Sequence, residues 1–119
     1  MTYNSQQNGV AERLNRSILE KARCILHNSK MGKIFWRDAL LTANYLVNRL
    51  PTCALENHKT PAELWYNSKP NLRHIRIFGC EAYAHVPKQK RSKLDARSTK
   101  CIFLGYLCKS RIQIMGSSK

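Results

Sequence analysis

The densest cluster of charge in the sequence lies between positions 88 and 100. Its basic members are Lys88, Lys90, Arg91, Lys93, Arg97 and Lys100. Lysine and arginine side chains donate hydrogen bonds to phosphate oxygens, and a segment this basic does not pack in a core. The cluster therefore predicts a loop that contacts the phosphate backbone of a nucleic acid without reading its bases. A solvated connection between two strands is the alternative interpretation.

A second group of charged residues lies near the N-terminus, where Glu12 is followed by Arg13 and Arg16. Glu12, Arg16 and Arg23 are four and seven residues apart, so a helix would project them from one polar face. Helix electrostatics alone can explain why a glutamate occupies position 12. An acid near a helix start suits the helix dipole, and a Glu–Arg pair four residues apart is weakly stabilising.

Composition favours a polyanionic partner. The 119 residues contain 21 Lys and Arg against 7 Asp and Glu, a net charge of +14, which suits nucleic acid or an anionic membrane surface. The sequence lacks an apolar run of roughly 18 residues and an apolar signal-peptide core, so we expect no membrane anchor. Five scattered cysteines without a C-x-x-C pair argue against a zinc site and a disulfide framework, and favour reduced thiols in an intracellular protein.

Apolar periodicity predicts two helices in the first half of the chain, and a capping pattern predicts a third. Apolar residues recur every three or four positions over residues 10–26 and again over residues 35–50, with a break at residues 28–32. The polar stretch before residue 10 is expected to be a loop. Pro51 ends the second helix, and Thr60 is the expected N-cap of a short third helix with Pro61 at its first position.

The second half predicts strands, because residues 75–86 and 100–106 are rich in aromatic and β-branched residues. Four aromatic residues could stack on bases: Trp36, Trp65, Phe78 and Tyr83. For Trp36 in the second helix and Phe78 in the first strand, packing in the core is the preferred interpretation. The C-terminal residues 114–119 are expected to fray. The sequence thus predicts an α+β fold that divides near residue 70 into a helical part, residues 1–68, and a β part, residues 69–119.

Five blocks of sequence then occur in the order typical of one known family. They are QQNGVAERLNRSILEKAR (6–23), FWRDALLTANYLVNRLP (35–51), TPAELW (60–65), KPNLRHIRIFGC (69–80), and KLD (93–95) with KCIFLGY (100–106). The chain resembles the integrases of copia-type LTR retrotransposons, encoded in their Pol polyproteins. The resemblance covers nearly the whole chain.

The resemblance implies an RNase H-like core whose Asp, Asp, Glu triad holds two divalent ions, Mg²⁺ or Mn²⁺, for phosphodiester cleavage and strand transfer. Glu12 matches the third member of that triad, as a catalytic residue and metal ligand. Arg16 matches a position that contacts the donor DNA end. The β part resembles the small SH3-like barrel that follows the core in these integrases.

The two aspartates of the triad have no counterpart before Glu12, because the eleven preceding residues contain no acid. Asp38 and Asp95 follow Glu12, in a helix and a loop, and match no strand-borne ligand. We therefore expect the C-terminal part of an integrase core, in which Glu12 alone binds no metal tightly and the chain by itself is inactive.

The expected function is that of an integrase fragment, ancestrally metal-dependent DNA integration, with DNA binding retained. The expected DNA-binding residues are Arg13, Arg16, Arg23, Lys88, Lys90, Arg91 and Lys93. The alternatives are a non-catalytic basic nucleic-acid-binding module and a domesticated or pseudogene remnant. DNA, contacted through its phosphates, is the expected partner, the nucleus is the expected location, and self-association is left open.

Overall fold

The computed structural model describes residues 5–108 and 111–116, which form an α+β fold. The helices within these residues are α1 (Ser5–Ser29), α2 (Trp36–Arg49) and α3 (Pro61–Tyr66). The strands follow as β1 (Glu81–His85), β2 (Ser98–Cys108) and β3 (Arg111–Gly116). The predicted α+β class, with helices before strands, is confirmed.

Helix α1 begins earlier than predicted, because the polar stretch before residue 10 is helical from Ser5. Glutamine is a good helix former, and extending an existing helix requires no new nucleus, so Gln6 and Gln7 continue the helix that the apolar residues define. Glu12 consequently lies about two turns inside α1 rather than in its first turn. The dipole explanation for Glu12 is therefore wrong, because that effect is confined to the terminal turn.

The predicted ends of α1 and α2 are confirmed. Helix α1 ends at Ser29, whose hydroxyl donates to the Leu26 carbonyl at 3.0 Å, and Lys30 adopts a left-handed conformation with φ 55°. Helix α2 ends before Pro51, and Leu50 is extended with ψ 145°, because proline excludes the helical conformation from the residue before it.

Helix α3 has the predicted cap. Thr60 is extended, and its hydroxyl oxygen accepts a hydrogen bond from the Glu63 backbone N–H at 3.0 Å. Pro61 occupies the first position of the helix, where its missing N–H removes no intrahelical bond. A left-handed Asn67 with φ 51° ends the helix after Tyr66.

The strands form an antiparallel sheet in the order β1-β2-β3. Tyr83 of β1 lies opposite Lys100 of β2, and Phe103 of β2 lies opposite Ile114 of β3. The prediction of a frayed C-terminus is wrong for Ile114–Gly116, which belong to β3. Residues 117–119 lie outside the described part of the chain.

The first predicted strand is shorter than expected, because residues 75–80 are not in strand β1. Gly79 has φ 81°, which an extended strand does not allow, and the Cys80 N–H donates to the Ile77 carbonyl in a turn. Phe78, the aromatic residue of this segment, instead packs in the core, where it is buried as predicted.

One core joins the helices to the sheet. Its buried members are Ala22, Ala39, Ala43, Phe78 and Leu104, and they come from α1, α2, residues 75–80 and β2. The three alanines allow the helices to approach closely. The Thr42 hydroxyl of α2 is buried and donates to the Leu104 carbonyl of β2 at 3.5 Å. Helix α2 is therefore the element that connects α1 to the sheet.

The first half of α1 packs much less than the second half. Val10 is 69% exposed and Leu14 is 51% exposed, whereas Ala22 is buried. The molecule is elongated, 65 × 33 × 30 Å, with a radius of gyration of 18.4 Å. A compact domain of this length would have a radius of about 13–14 Å. An apolar surface on the first half of α1 is thus left open to solvent.

Two findings on the described residues concern membrane-spanning helices and cysteine thiols. None of their helices combines the length and apolar character needed to cross a bilayer. Cys24, Cys53, Cys80 and Cys101 are free thiols, and of these Cys101 is buried.

Candidate nucleic-acid interface

The connection between β1 and β2 is a closed loop, residues 87–97, which we call the basic loop. The Val86 N–H donates to the Arg97 carbonyl at 2.9 Å and closes the base of the loop. Lys88–Lys90 form a single 3₁₀ turn, in which the Lys90 N–H donates to the Pro87 carbonyl at 3.0 Å. The basic side chains are therefore carried on an ordered backbone.

Asp95, the single acid of the basic loop, holds the second half of the loop in shape. Its Oδ2 accepts a hydrogen bond from the Ser92 N–H at 2.7 Å, and its own N–H donates to the Ser92 carbonyl at 3.3 Å. Asp95 is thus a local structural residue of the basic loop.

The cations of the basic loop surround a cavity of about 290 Å³, which we call the loop cavity. It is lined by Lys88, Arg91, Ser92, Lys93 and Arg97. The Nε atom of Arg91 is buried and has no hydrogen-bond partner. A buried guanidinium nitrogen without an acceptor is costly, so the Arg91 side chain would gain from moving to where an anionic ligand can accept from this N–H. Of the predicted loop residues, Lys90 is exposed and does not line the cavity.

Lys100 differs from the other cations of this region, because it already has a partner. Its Nζ lies 2.6 Å from Glu81 Oε1 across the β1–β2 pair. The hydrogen bond to Glu81, together with the charge of that carboxylate, raises the pKa of Lys100 above its ordinary value. Lys100 is therefore less available to a phosphate than the cations of the basic loop.

The predicted site residues of α1 are all exposed: Glu12, Arg13, Arg16 and Arg23. Within the described residues no ion pair joins Glu12 to Arg16, so the stabilising pair suggested by their spacing does not form. Among the residues that the structure describes, no hydrogen bond or ion pair links α1 to the basic loop. The predicted DNA-binding residues of α1 and those of the basic loop therefore form two separate surfaces.

A metal site requires more than Glu12. The described residues contain no group of three or more His, Cys, Asp or Glu side chains placed to hold an ion. Two-metal catalysis needs several carboxylate ligands around both ions. The residues present around Glu12 do not fit such a pair of ions.

A second concave surface, which we call the α2–α3 groove, was not predicted from the sequence. It consists of two cavities, about 470 Å³ and about 300 Å³, which share Arg49, Ala62 and Tyr66 as lining residues. The larger is also lined by Tyr45 and His74, and the smaller by Trp65.

Hydrogen bonds and ring contacts behind the groove fix its wall. Tyr45 Oη lies 2.5 Å from His74 Nε2, and the Tyr45 ring stacks on Tyr106 with centroids 4.2 Å apart. His74 is therefore a structural partner of Tyr45 rather than an ordinary loop residue. About thirty residues separate Tyr45 from His74, and about thirty more separate His74 from Tyr106. A local pattern, such as the periodicity that predicts helices, therefore cannot predict this cluster.

The exposed aromatic residues only partly follow the prediction. Trp36, expected in the core, is 58% exposed, because it occupies the first position of α2 at the edge of the helix packing. Trp65 is 83% exposed and Tyr83 is 66% exposed, so both are accessible for stacking on a ligand.

The first comparison with known proteins concerns the β part of the chain. A family model described as the retroviral polymerase SH3-like domain matches residues 80–113. This range includes β1, the basic loop and β2, so the loop cavity lies within the matched domain. No solved structure matches the chain.

Comparison with curated proteins covers the helical part as well. The chain is 50% identical over 101 residues to the retrovirus-related Pol polyprotein from transposon TNT 1-94 of Nicotiana tabacum, an alignment covering 85% of this chain and 8% of the polyprotein. It is 36% identical over 104 residues to the corresponding polyprotein from transposon RE1 of Arabidopsis thaliana, covering 87% of this chain and 7% of the polyprotein.

A shorter protein is also similar. An uncharacterised mitochondrial protein of Arabidopsis thaliana is 39% identical over 77 residues, which cover 65% of this chain and 63% of that protein. The chain thus spans less than a tenth of the two transposon polyproteins and a larger part of this relative. The resemblance to retrotransposon Pol polyproteins inferred from the sequence blocks is confirmed, because most of the chain is similar to one short region of the retrovirus-related Pol polyproteins of plant transposons.

Proposed function

We propose that the chain is the C-terminal part of a retrotransposon integrase that retains DNA binding. In this proposal residues 1–68 are the last helices of an RNase H-like core, and residues 69–119 are an SH3-like barrel. The open apolar surface on the first half of α1 supports the first assignment, because such a surface is expected where further core elements would pack. The family match over residues 80–113 supports the second.

The observation that carries DNA binding is the loop cavity. Four cations line it, and Arg91 presents a buried Nε–H that has no acceptor in the protein. The guanidinium groups of Arg91 and Arg97 would donate to a phosphate in the cavity, with the Arg91 Nε–H joining once that side chain moves, and the neighbouring lysines would neutralise the phosphate charge. The cavity is lined by cations and one serine, side chains that bond phosphate oxygens whatever the sequence, so the contacts we propose are with the DNA backbone.

Salt dependence of DNA affinity tests this proposal. Alanine at Lys88, Lys90, Arg91 and Lys93 should flatten the slope of log K against log salt, because each lost phosphate contact removes about 0.9 from the slope for duplex DNA. The matched control removes the same charge from exposed residues elsewhere: Lys33, Lys59, Lys69 and Arg73. Equal slopes for the two variants would show that only net charge matters and that the loop cavity has no role.

Catalysis is proposed only for the ancestral enzyme, in which Glu12 would be the third carboxylate of the triad and Mg²⁺ or Mn²⁺ the cofactor. Arg13, Arg16 and Arg23 would contact DNA on the same helix. For the 119-residue chain we expect no strand transfer with either ion, because one exposed carboxylate does not hold two metals. Strand transfer by the purified chain that Glu12→Gln abolishes would contradict this expectation.

A non-catalytic nucleic-acid-binding module is the second candidate function. It is favoured by the lack, in the described residues, of any cluster of three or more metal-binding side chains. Both candidates have DNA as partner and the nucleus as site of action, and they differ in whether a longer form of the protein shows Glu12-dependent activity. Self-association through the first half of α1 is compatible with both.

A further inference from the structure

We propose that the α2–α3 groove binds unpaired nucleotides of a single-stranded nucleic acid, with the base on Trp65 and the phosphate on Arg49. The site is separate from the basic loop and takes a different form of nucleic acid. The choice of ligand rests on the nucleic-acid function proposed above, whereas the geometry stands on the groove itself.

Arg49 is a cation held in a fixed position between the two cavities. Its guanidinium lies 3.6 Å from the centre of the Tyr45 ring, and its Nη1 donates to the Tyr45 carbonyl at 3.4 Å. Tyr45 is itself held by Tyr106 on its ring and by His74 at its hydroxyl. A guanidinium has five N–H donors, so one bond to the protein leaves several for a ligand.

Trp65 provides a face for a base. It lies in the last turn of α3, lines the same cavity as Arg49, and is 83% exposed. An indole this exposed has little packing to lose, and stacking a planar ring on it would remove apolar surface from water. A base can offer its face only where it is unpaired and unstacked, so a duplex does not fit this site.

Charge and size agree with a nucleotide ligand. No acidic side chain is among the described residues that line the two cavities, and the chain has a net charge of +14. The cavity volumes, about 470 and 300 Å³, are comparable with small-ligand sites of roughly 300–1,000 Å³. An aromatic groove can also take a proline-rich peptide, but a cation fixed beside the aromatic face favours a ligand that carries a phosphate.

The test compares labelled single-stranded oligo-dT of about ten nucleotides with a duplex of the same length, by fluorescence anisotropy with the full chain. Trp65→Ala should weaken single-strand binding by about tenfold and leave duplex binding unchanged. Trp65→Tyr should restore most of the affinity, because it keeps an aromatic face. Arg49→Gln should weaken single-strand binding and reduce its salt dependence.

The matched control is Trp36→Ala, at an exposed tryptophan that lines neither cavity, and it should leave both affinities unchanged. Equal single-strand affinity for Trp65→Ala and the unmodified chain, or equal losses for single strand and duplex, would overturn the proposal. Binding of a proline-rich peptide at Trp65 without binding of oligo-dT would overturn it in favour of a peptide site.

Different results would contradict the proposed DNA binding by the basic loop and the proposed nucleotide site in the α2–α3 groove. The basic-loop variant should lose duplex binding, and adding Trp65→Ala to that variant should still weaken its binding of oligo-dT. If duplex binding depends on the loop but oligo-dT binding does not depend on Trp65, only the groove assignment is wrong. If neither DNA binds, the proposed function itself is wrong.

Discussion

Tyr106 connects β2 to α2 and to the segment that contains Arg76. Its hydroxyl accepts from the Arg76 N–H at 2.8 Å and donates to the Arg76 carbonyl at 3.2 Å. Its ring stacks on Tyr45 of α2 and meets Phe103 edge-on, with centroids 5.1 Å apart. Burial raises the pKa of Tyr106 above its ordinary value of 10.0. The neutral phenol is therefore the form that the fold stabilises.

Tyr106 predicts a loss of stability in alkaline solution. Because its pKa is higher in the folded chain, the contribution is complete below pH 10 and decreases as pH rises through the folded pKa. Tyr106→Phe should lose about 1 kcal/mol near neutral pH, from the bonds to Arg76, and should show a shallower decline above pH 10. Urea unfolding at about pH 8 and about pH 10.5 measures both effects.

Lys100 titrates in the same range, and its raised pKa has the same sign, since its pairing with Glu81 is lost as pH rises. Lys100 is present in the unmodified chain and in Tyr106→Phe, so its effect on stability cancels when these two are compared. The comparison is made with the unmodified chain and not with Tyr83→Phe, because Tyr83 lies opposite Lys100 and adds to the rise in the pKa of Lys100. The same slope for Tyr106→Phe would show that the Tyr106 phenol does not contribute.

At the residue scale, prediction from sequence succeeded where chemistry depends on near neighbours. Thr60 capping Glu63 and Pro51 ending α2 both follow from local rules. The Tyr45–His74–Tyr106 cluster could not be predicted, because its members meet only after the chain folds back. The role of Arg49 depends on that cluster and was missed for the same reason.

At the element scale, α2 and β2 meet at a point where no side chain fits. Gly105 of β2 is buried with φ 130°, and a Cβ built there would collide with the Thr42 hydroxyl. The β2–β3 register shifts around this glycine. A bulge with glycine therefore allows the sheet to approach the helix.

Gly105→Ala should destabilise the fold by about 1–3 kcal/mol, from the positive φ and the collision together. Adding Thr42→Ala should recover only the part due to the collision, and a double-mutant cycle separates the two. Gly9→Ala is the contrasting control: nothing lies within 4 Å of a Cβ at this helical position. It should stabilise the chain by about 0.5–1 kcal/mol. A neutral Gly105→Ala would mean that α2 and β2 are not in close contact.

Helix α3 offers a simpler prediction, because one hydrogen bond defines its start. Thr60→Ala removes the acceptor of the Glu63 N–H and should cost about 0.5–2 kcal/mol. Thr60→Ser keeps the oxygen and should cost much less. Chemical denaturation of both variants measures the difference, and equal losses would assign the effect to burial of the threonine methyl group.

Element types were more predictable than element bounds. The apolar periodicity located α1 and α2, and the Thr60 cap with Pro61 located α3. The early start of α1 and the turn over residues 75–80 were missed for different reasons. Polar residues are typical of loops, but residues 5–9 extend a helix. Aromatic residues are typical of strands, but Phe78 fills the core from a turn.

At the scale of the whole molecule, packing does not follow the proposed boundary near residue 69. Residues from α1, α2 and β2 share one core, while the first half of α1 extends beyond it. The sequence pattern could not predict this, because it reports which face of a helix is apolar but not what that face contacts. The two proposed parts are thus joined by packing, whatever their origin.

Hydrogen exchange tests this arrangement along the chain. Amides in the first half of α1, residues 5–16, should exchange by local opening at low free energy, because Val10 and Leu14 leave about half or more of their surface in water. Amides of residues 22–26, α2 and β2 should exchange together and far more slowly, since Ala22, Ala43 and Leu104 are in one core.

Gly105→Ala provides the decisive comparison, because Gly105 lies where β2 meets α2 and far along the chain from residues 5–16. It should lower the protection of α2 and β2 by the same free energy and leave residues 5–16 unchanged. Protection lost from β2 alone would show that helices and sheet unfold independently. The measurement is made at concentrations where the chain is monomeric. Strong protection of residues 5–16 in that monomer would mean that their apolar face is covered, and neither an incomplete core nor self-association would then be needed to explain Val10 and Leu14.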